Sequence, residues 1–189
     1  NDHFFADPRR LFLSGLLHLP LNSQPSNLNR PLGTCSSLPV LQVAVGRRLG
    51  YPLKLVTTKG HLFVRWEDAR ERFNVEAAGG KGVNRFTDDY YRHWPLQVTP
   101  AEEAAEGYLK SLTPPEELAG FLSIRGMCLR EAGRLREATE AFAAAARLAP
   151  ACRGYQVMLA RLQARHGPRL PTASPQAEQT IAKHNRPNL

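Results

Sequence analysis

Residues 31–66 read "PLGTCSSLPVLQVAVGRRLGYPLKLVTTKGHLFVRW", and this stretch decides the fold. Its first half has helical spacing, with Leu38, Leu41, Val45 and Leu49 on one stripe. Thr34 stands where an N-cap belongs, Pro39 lies near enough to the start to be tolerated, and Gly50 with Pro52 stops the helix. The second half alternates as strands do. Runs at 53–57 and 61–66, followed by a third at 72–77, predict three strands. Cys35 falls at the start of that helix and His61 opens the second strand.

Pairing the second and third runs with Leu62 opposite Val75 and Val64 opposite Phe73 gives a mostly apolar face. The other face then sets His61 against Glu76, Phe63 against Asn74 and Arg65 against Arg72. A slip of one residue would scramble both faces. Thiol, imidazole and carboxylate are thereby expected to meet from a helix start and two adjacent strands. A helix start supplies amide donors and the positive end of the dipole, which favour a thiolate. A histidine can take the thiol proton, an acid behind it can fix the ring, and the cysteine amide can hold an oxyanion.

Cys35, His61 and Glu76 are therefore the catalytic candidates, with Asn74 as the alternative orienting residue. Gln24, Asn27 and Asn29, in the polar loop before Cys35, are candidate oxyanion donors. A cysteine beside an apolar stripe also reads as core, which is the reading taken for Cys128 and Cys152. No paired-cysteine motif or HExxH helix is present, so neither metal nor cofactor is expected.

From residue 99 the chain turns rich in alanine, glutamate and leucine. "TPAEE" at 99–103 and "TPPEE" at 113–117 are two helix starts, each a threonine cap, a proline and a glutamate at the third position. Helices are predicted over 100–111, 114–131 and 135–148, with a further one over 153–165. Residues 119–152 fit the tetratricopeptide period of about 34 residues, with Gly126, Leu129, Ala138, Phe142, Ala145 and Pro150 at its packing positions. One repeat makes no concave groove, so it is expected to pack on the core.

The remaining segments read more plainly. Residues 9–21 look amphipathic, with Asp7 as cap and Pro8 first, rather than like a signal peptide. "GGKG" at 79–82 lacks the ending of a phosphate loop and is read, with the aromatic stretch to 98, as connection. The tail from Gly167 is expected to be disordered. The domain division is thus a core at 1–98, a helical region at 99–166 and a tail at 167–189. The chain begins at Asn1 without methionine and is read as a piece of something longer.

A net charge of +8 invites a nucleic-acid reading, but the basic residues are scattered and no nucleic-acid module is present. A solvated basic surface is the reading taken. No run is long and apolar enough to span a membrane. Three widely spaced cysteines make no disulfide framework, which points to a reducing, cytoplasmic setting.

"GTCSSLPVLQVAVGRRLGYP", "GHLFVRWED" and "RFNVEAAGG" together resemble the transglutaminase-like superfamily, papain-related in geometry, in its bacterial branch with a tetratricopeptide segment after the core. The resemblance covers about residues 4–150. It implies an α+β fold: a cysteine-bearing helix on a small antiparallel sheet, followed by an all-α region. By position it implies Cys35 as nucleophile, His61 as base and Glu76 as the acid. That acid is usually aspartate before proline, where this chain has Glu76-Ala77. The implied activity is cleavage or transfer of an amide acyl group through a Cys35 thioester, on a protein or peptide substrate. The alternative is an inactive transglutaminase-like scaffold that binds protein or peptide partners through its helical region.

Overall fold

The computed structural model describes residues 4–6, 11–12, 33–76 and 85–165. Strands β1 (Leu53–Thr58), β2 (His61–Glu67) and β3 (Arg72–Val75) form one antiparallel sheet in chain order. The first hairpin closes over Lys59 and Gly60, where Gly60 takes a left-handed φ of 79°. The second closes at Asp68–Glu71. There the Asp68 amide donates to the Glu71 carbonyl at 3.1 Å, while Asp68 Oδ1 accepts the amides of Arg70 at 2.7 Å and Glu71 at 2.8 Å. An aspartate that satisfies its own turn in this way makes the connection tight.

That turn sets the register. Val64 faces Val75, Arg65 faces Asn74, Trp66 faces Phe73 and Glu67 faces Arg72. The expected pairing of Leu62 with Val75 and His61 with Glu76 is displaced by two residues. Because the displacement is even, every side chain keeps its expected face.

One face of the sheet buries Leu55, Leu62 and Val64 against Val43 of α1 (Leu38–Arg48), with Phe121 packed alongside. The opposite face buries Val56 and Phe63 against Leu109 and Tyr91, the latter from α2 (Asp88–His93). Two local expectations for the first helix change. Its N-cap is Ser37 rather than Thr34, which places Cys35 in the turn before the helix. Its buried residues are Pro39, Val43 and Gly46, whereas Val45 and Leu49 of the expected stripe are 49% and 65% exposed. Gly46 explains the rotation: a β-carbon there would sit 2.3 Å from Leu53 Cδ1, so the helix lies closest to β1 along its smallest residue.

Beyond α2, the helices are α3 (Pro100–Glu106), α4 (Pro114–Glu131), α5 (Leu135–Leu148) and α6 (Arg153–Arg165). Both glutamate caps form: Glu102 accepts the Thr99 amide at 2.9 Å and Glu116 accepts the Thr113 amide at 2.7 Å. Helix α3 ends at Glu106, short of the expected 111. Gly107 and Leu109 turn the chain with φ of 69° and 61°, and the amides of Leu109 and Leu112 then donate to Thr57 and Leu55 at 2.9 and 2.8 Å. The outer edge of β1 thus gains partners that a longer helix would have denied it. Helices α4 and α5 pack closely where Gly126 meets the Phe142 ring, 2.7 Å from where a β-carbon would stand. Leu129, Ala138 and Phe142 form their core with Leu162 of α6. Within the 79–98 connection, Asp88–His93 is helical, capped by Thr87. The expected helix over 9–21, apart from Leu11 and Phe12, lies outside the described residues, as do the glycine loop at 79–82 and the tail.

Arg65 is fully buried at the centre of one sheet face. Its Nε donates to Asn74 Oδ1 at 2.8 Å, Nη1 to the Leu109 carbonyl at 2.9 Å and Nη2 to Asp88 Oδ1 at 2.6 Å. Asn74 Nδ2 donates to the same Asp88 oxygen at 2.7 Å and to the Phe86 carbonyl at 3.0 Å. Three segments of chain are thus tied to one guanidinium on β2. Removing the carboxylate leaves a buried cation uncompensated, so Asp88→Ala is expected to cost about 3 kcal/mol of stability in urea titration. Asp88→Asn, which keeps an acceptor oxygen, is expected to lose less.

Candidate active site

His61 opens β2 directly after the Lys59–Gly60 turn and is 8% exposed. Its Nε2 lies 2.8 Å from Glu76 Oε2. Glu76, one step past β3, is diagonal to His61 and not opposite it, given the observed register. Diagonal backbone positions on one sheet face stand about 7–8 Å apart, a gap only a long side chain closes. The extra methylene of glutamate over aspartate therefore suits this placement. Tyr91 Oη donates to the same Glu76 oxygen at 3.0 Å, and its ring stacks on Phe63 with centroids 3.8 Å apart. Trp94 sets an edge against the imidazole at 4.7 Å.

The Cys35 thiol acts on the same imidazole, and both line one cavity. With Nε2 committed to Glu76, Nδ1 is the ring nitrogen left for sulfur. Burial alone would push the imidazole pKa down. Hydrogen bonding of the ring N–H groups to Cys35 and Glu76, with the charge of each, overcomes that and carries it from 6.5 up to about 9. His61 is therefore cationic at neutral pH. Burial first, then the Glu76 charge, pushes the Tyr91 hydroxyl well up, so it stays a donor to the carboxylate.

The turn that carries Cys35 is knit by short polar side chains. The Thr34 carbonyl accepts the amides of Ser37 at 3.1 Å and Leu38 at 3.0 Å, and Thr34's own amide donates to Ser37 Oγ at 3.0 Å. The Ser36 amide donates to Thr34 Oγ1 at 3.2 Å, while the two hydroxyls lie 2.7 Å apart. "TCSS" is thus a built turn that fixes the cysteine backbone one turn ahead of the helix proper.

The structure brings Cys35, His61 and Glu76 together. Asn74 is on the same face but is engaged with Arg65, Asp88 and the Phe86 carbonyl instead of the imidazole. Gln24, Asn27 and Asn29 lie outside the described residues. Tyr91 and Trp94 were missed by the reading of 79–98 as connection, though "TDD" at 87–89 carries the signal of a capped helix start. Lys59, in the turn, pairs with Glu102 at 2.5 Å, which joins the hairpin to α3. Cys128 and Cys152 are packed elsewhere. Burial pushes the Cys128 thiol up, and burial with the Glu106 carboxylate pushes Cys152 up to about 11. Among the described residues no cluster of three or more His, Cys, Asp or Glu side chains is placed to hold a metal ion. Nor is any described helix long and apolar enough to cross a membrane.

The described chain is an α+β protein: six α-helices and a three-stranded antiparallel sheet, with a buried histidine between a thiol and a carboxyl group. Compared with known proteins, it matches no family model, no curated protein and no solved structure.

The elevated imidazole has a consequence for stability. A histidine raised in the folded state contributes stability that is fully present below its ordinary value of 6.5 and is lost as pH rises through about 9. The urea midpoint is expected to decline across that window. Glu76→Gln, which removes one of the raising groups, is expected to move the decline toward pH 6.5. An unmoved decline would detach it from this pair.

Proposed function

We propose that this protein is a transglutaminase-like thiol enzyme that cleaves an amide acyl group through a Cys35 thioester. One observation carries the reading: a single buried imidazole, 2.8 Å from Glu76, shares a cavity lining with Cys35, and both groups raise its hold on the proton. A neighbouring imidazolium favours the thiolate form of a cysteine, the form that attacks, and a carboxylate on the ring keeps it oriented. The order cysteine, histidine, acid along the chain, from helix start and adjacent strands, is that of the family.

In this mechanism the Cys35 sulfur attacks the substrate carbonyl carbon and the oxygen takes up the negative charge. The Cys35 amide is the candidate donor to that oxygen. His61 gives its proton to the leaving nitrogen, the C–N bond breaks, and the amine departs. Water then attacks the thioester carbonyl while His61 takes its proton. The C–S bond breaks, the acid leaves, and the starting pair is restored. An amine in place of water would make the same step a transfer. Glu76 and Tyr91 touch no reacting atom: they position the ring. The helical hairpin of α4 and α5 is read as a single tetratricopeptide-like repeat packed on the core.

Iodoacetamide near neutral pH tests the reading, with mass spectrometry following each thiol. Cys35 is expected to alkylate at least about tenfold faster than Cys128 and Cys152. His61→Ala is expected to remove most of that lead, and Lys59→Ala, which only unties α3, to leave it. Equal, slow reaction of all three thiols would end the enzyme reading in favour of an inactive scaffold. Hydrolysis of a peptide anilide is further expected to fall as pH rises through about 9, where His61 loses the proton the leaving amine needs.

A further inference from the structure

A cavity of about 210 Å3 lies between the sheet and α4, and its lining includes both Cys35 and His61. Leu55 and Leu62 line it from the sheet, Phe121 and Ile124 from α4, and Leu112 from the segment that pairs with β1. Apart from His61, Glu117 is the charged side chain among the described lining residues. Arg47 holds its two oxygens at 2.9 and 2.6 Å. The Ser123 hydroxyl, also on the lining, commits its proton to the Gly120 carbonyl at 2.8 Å.

From this we propose that the cavity is the acyl-group site and that it takes an apolar acyl chain, either a phenyl-bearing one or an unbranched one of roughly six carbons. The inference rests on the thiol-enzyme reading above and names its substrate class. The size follows from volume, since a dry apolar cavity of about 150 Å3 already accepts benzene. The polarity follows from the lining. A carboxamide or carboxylate side chain entering here would lose its water and meet mostly carbon, which is costly without compensating hydrogen bonds. An apolar chain meets no such cost. Because two walls come from Leu112 and α4, the helical region acts as the specificity element of a site whose reacting groups belong to the sheet side.

Gly120 supplies the test. It lines the cavity from α4, and among the described residues a β-carbon there would have only Tyr155 Oη within range, at an ordinary 3.9 Å. Gly120→Leu therefore adds bulk at the cavity lining without a clash at its β-carbon with any described residue, and replaces a mid-helix glycine by a strong helix former. Wild type is expected to turn over hexanoyl p-nitroanilide with kcat/KM at least about tenfold above the acetyl compound. Gly120→Leu is expected to bring that ratio close to one, with circular dichroism reporting an unchanged fold. A wild-type ratio near one would overturn the proposal. If neither anilide is turned over, saturation-transfer NMR of hexanamide on Cys35→Ala separates the two ideas. Binding that Gly120→Leu abolishes keeps the apolar site and removes the thiol chemistry; no binding removes the site.

Discussion

A single buried guanidinium organises the site face of the sheet. Burying a charge is costly unless every donor finds an acceptor, and Arg65 finds Asn74, Asp88 and the Leu109 carbonyl. Each of those lies on a different stretch of chain. The cost of desolvation thus enforces an arrangement: β3 beside β2, the start of α2 over the sheet, and residue 109 at the edge of β1. With those placed, Tyr91 falls on Phe63 and its hydroxyl reaches Glu76. The ion cluster at one position and the imidazole four residues earlier on β2 are therefore parts of one construction.

His61 illustrates how burial and pairing compete. Desolvation opposes a charge on the ring, yet the ring lies between a thiol and a carboxyl group and is carried to about 9. The carboxyl group is itself steadied by the Tyr91 hydroxyl, which stays protonated because it too is buried beside negative charge. The diagonal placement of Glu76 gives a physical reason for glutamate where the family resemblance leads one to expect aspartate. From a position two residues out of register with the histidine, the longer acid has the reach, and its oxygen stands 2.8 Å from the ring.

The helical region is stitched to the sheet at several points. Leu109 and Leu112 extend the hydrogen bonding at the β1 edge, Arg47 of α1 grips Glu117 of α4, and Lys59 reaches Glu102 of α3. Phe121 packs into the core beneath the sheet. These ties leave a cavity against the reacting groups, walled partly by residues distant from them in sequence.

Much of the local structure was legible in the chain. The strands follow from alternation in the runs read at 53–57, 61–66 and 72–77, the helix starts from the threonine–proline–glutamate boxes at 99 and 113, and the stop of the first helix from Gly50. Cys35, His61 and Glu76 could be singled out by residue type and by strand parity, which a two-residue displacement preserves. What the sequence could not decide was anything set by close approach. Which face of α1 is buried depends on Gly46 meeting Leu53. Where α3 ends depends on the β1 edge competing for amides. The register depends on the Asp68 side chain tightening a turn that four unremarkable residues do not announce. The burial of Arg65 and the approach of Tyr91 to Glu76 were likewise invisible, because both depend on segments far apart in sequence. Periodicity and capping are properties of neighbours along a chain and are written into it. Which long-range contacts win depends on shape and on the cost of leaving a charge unpaired, and only the folded molecule decides those.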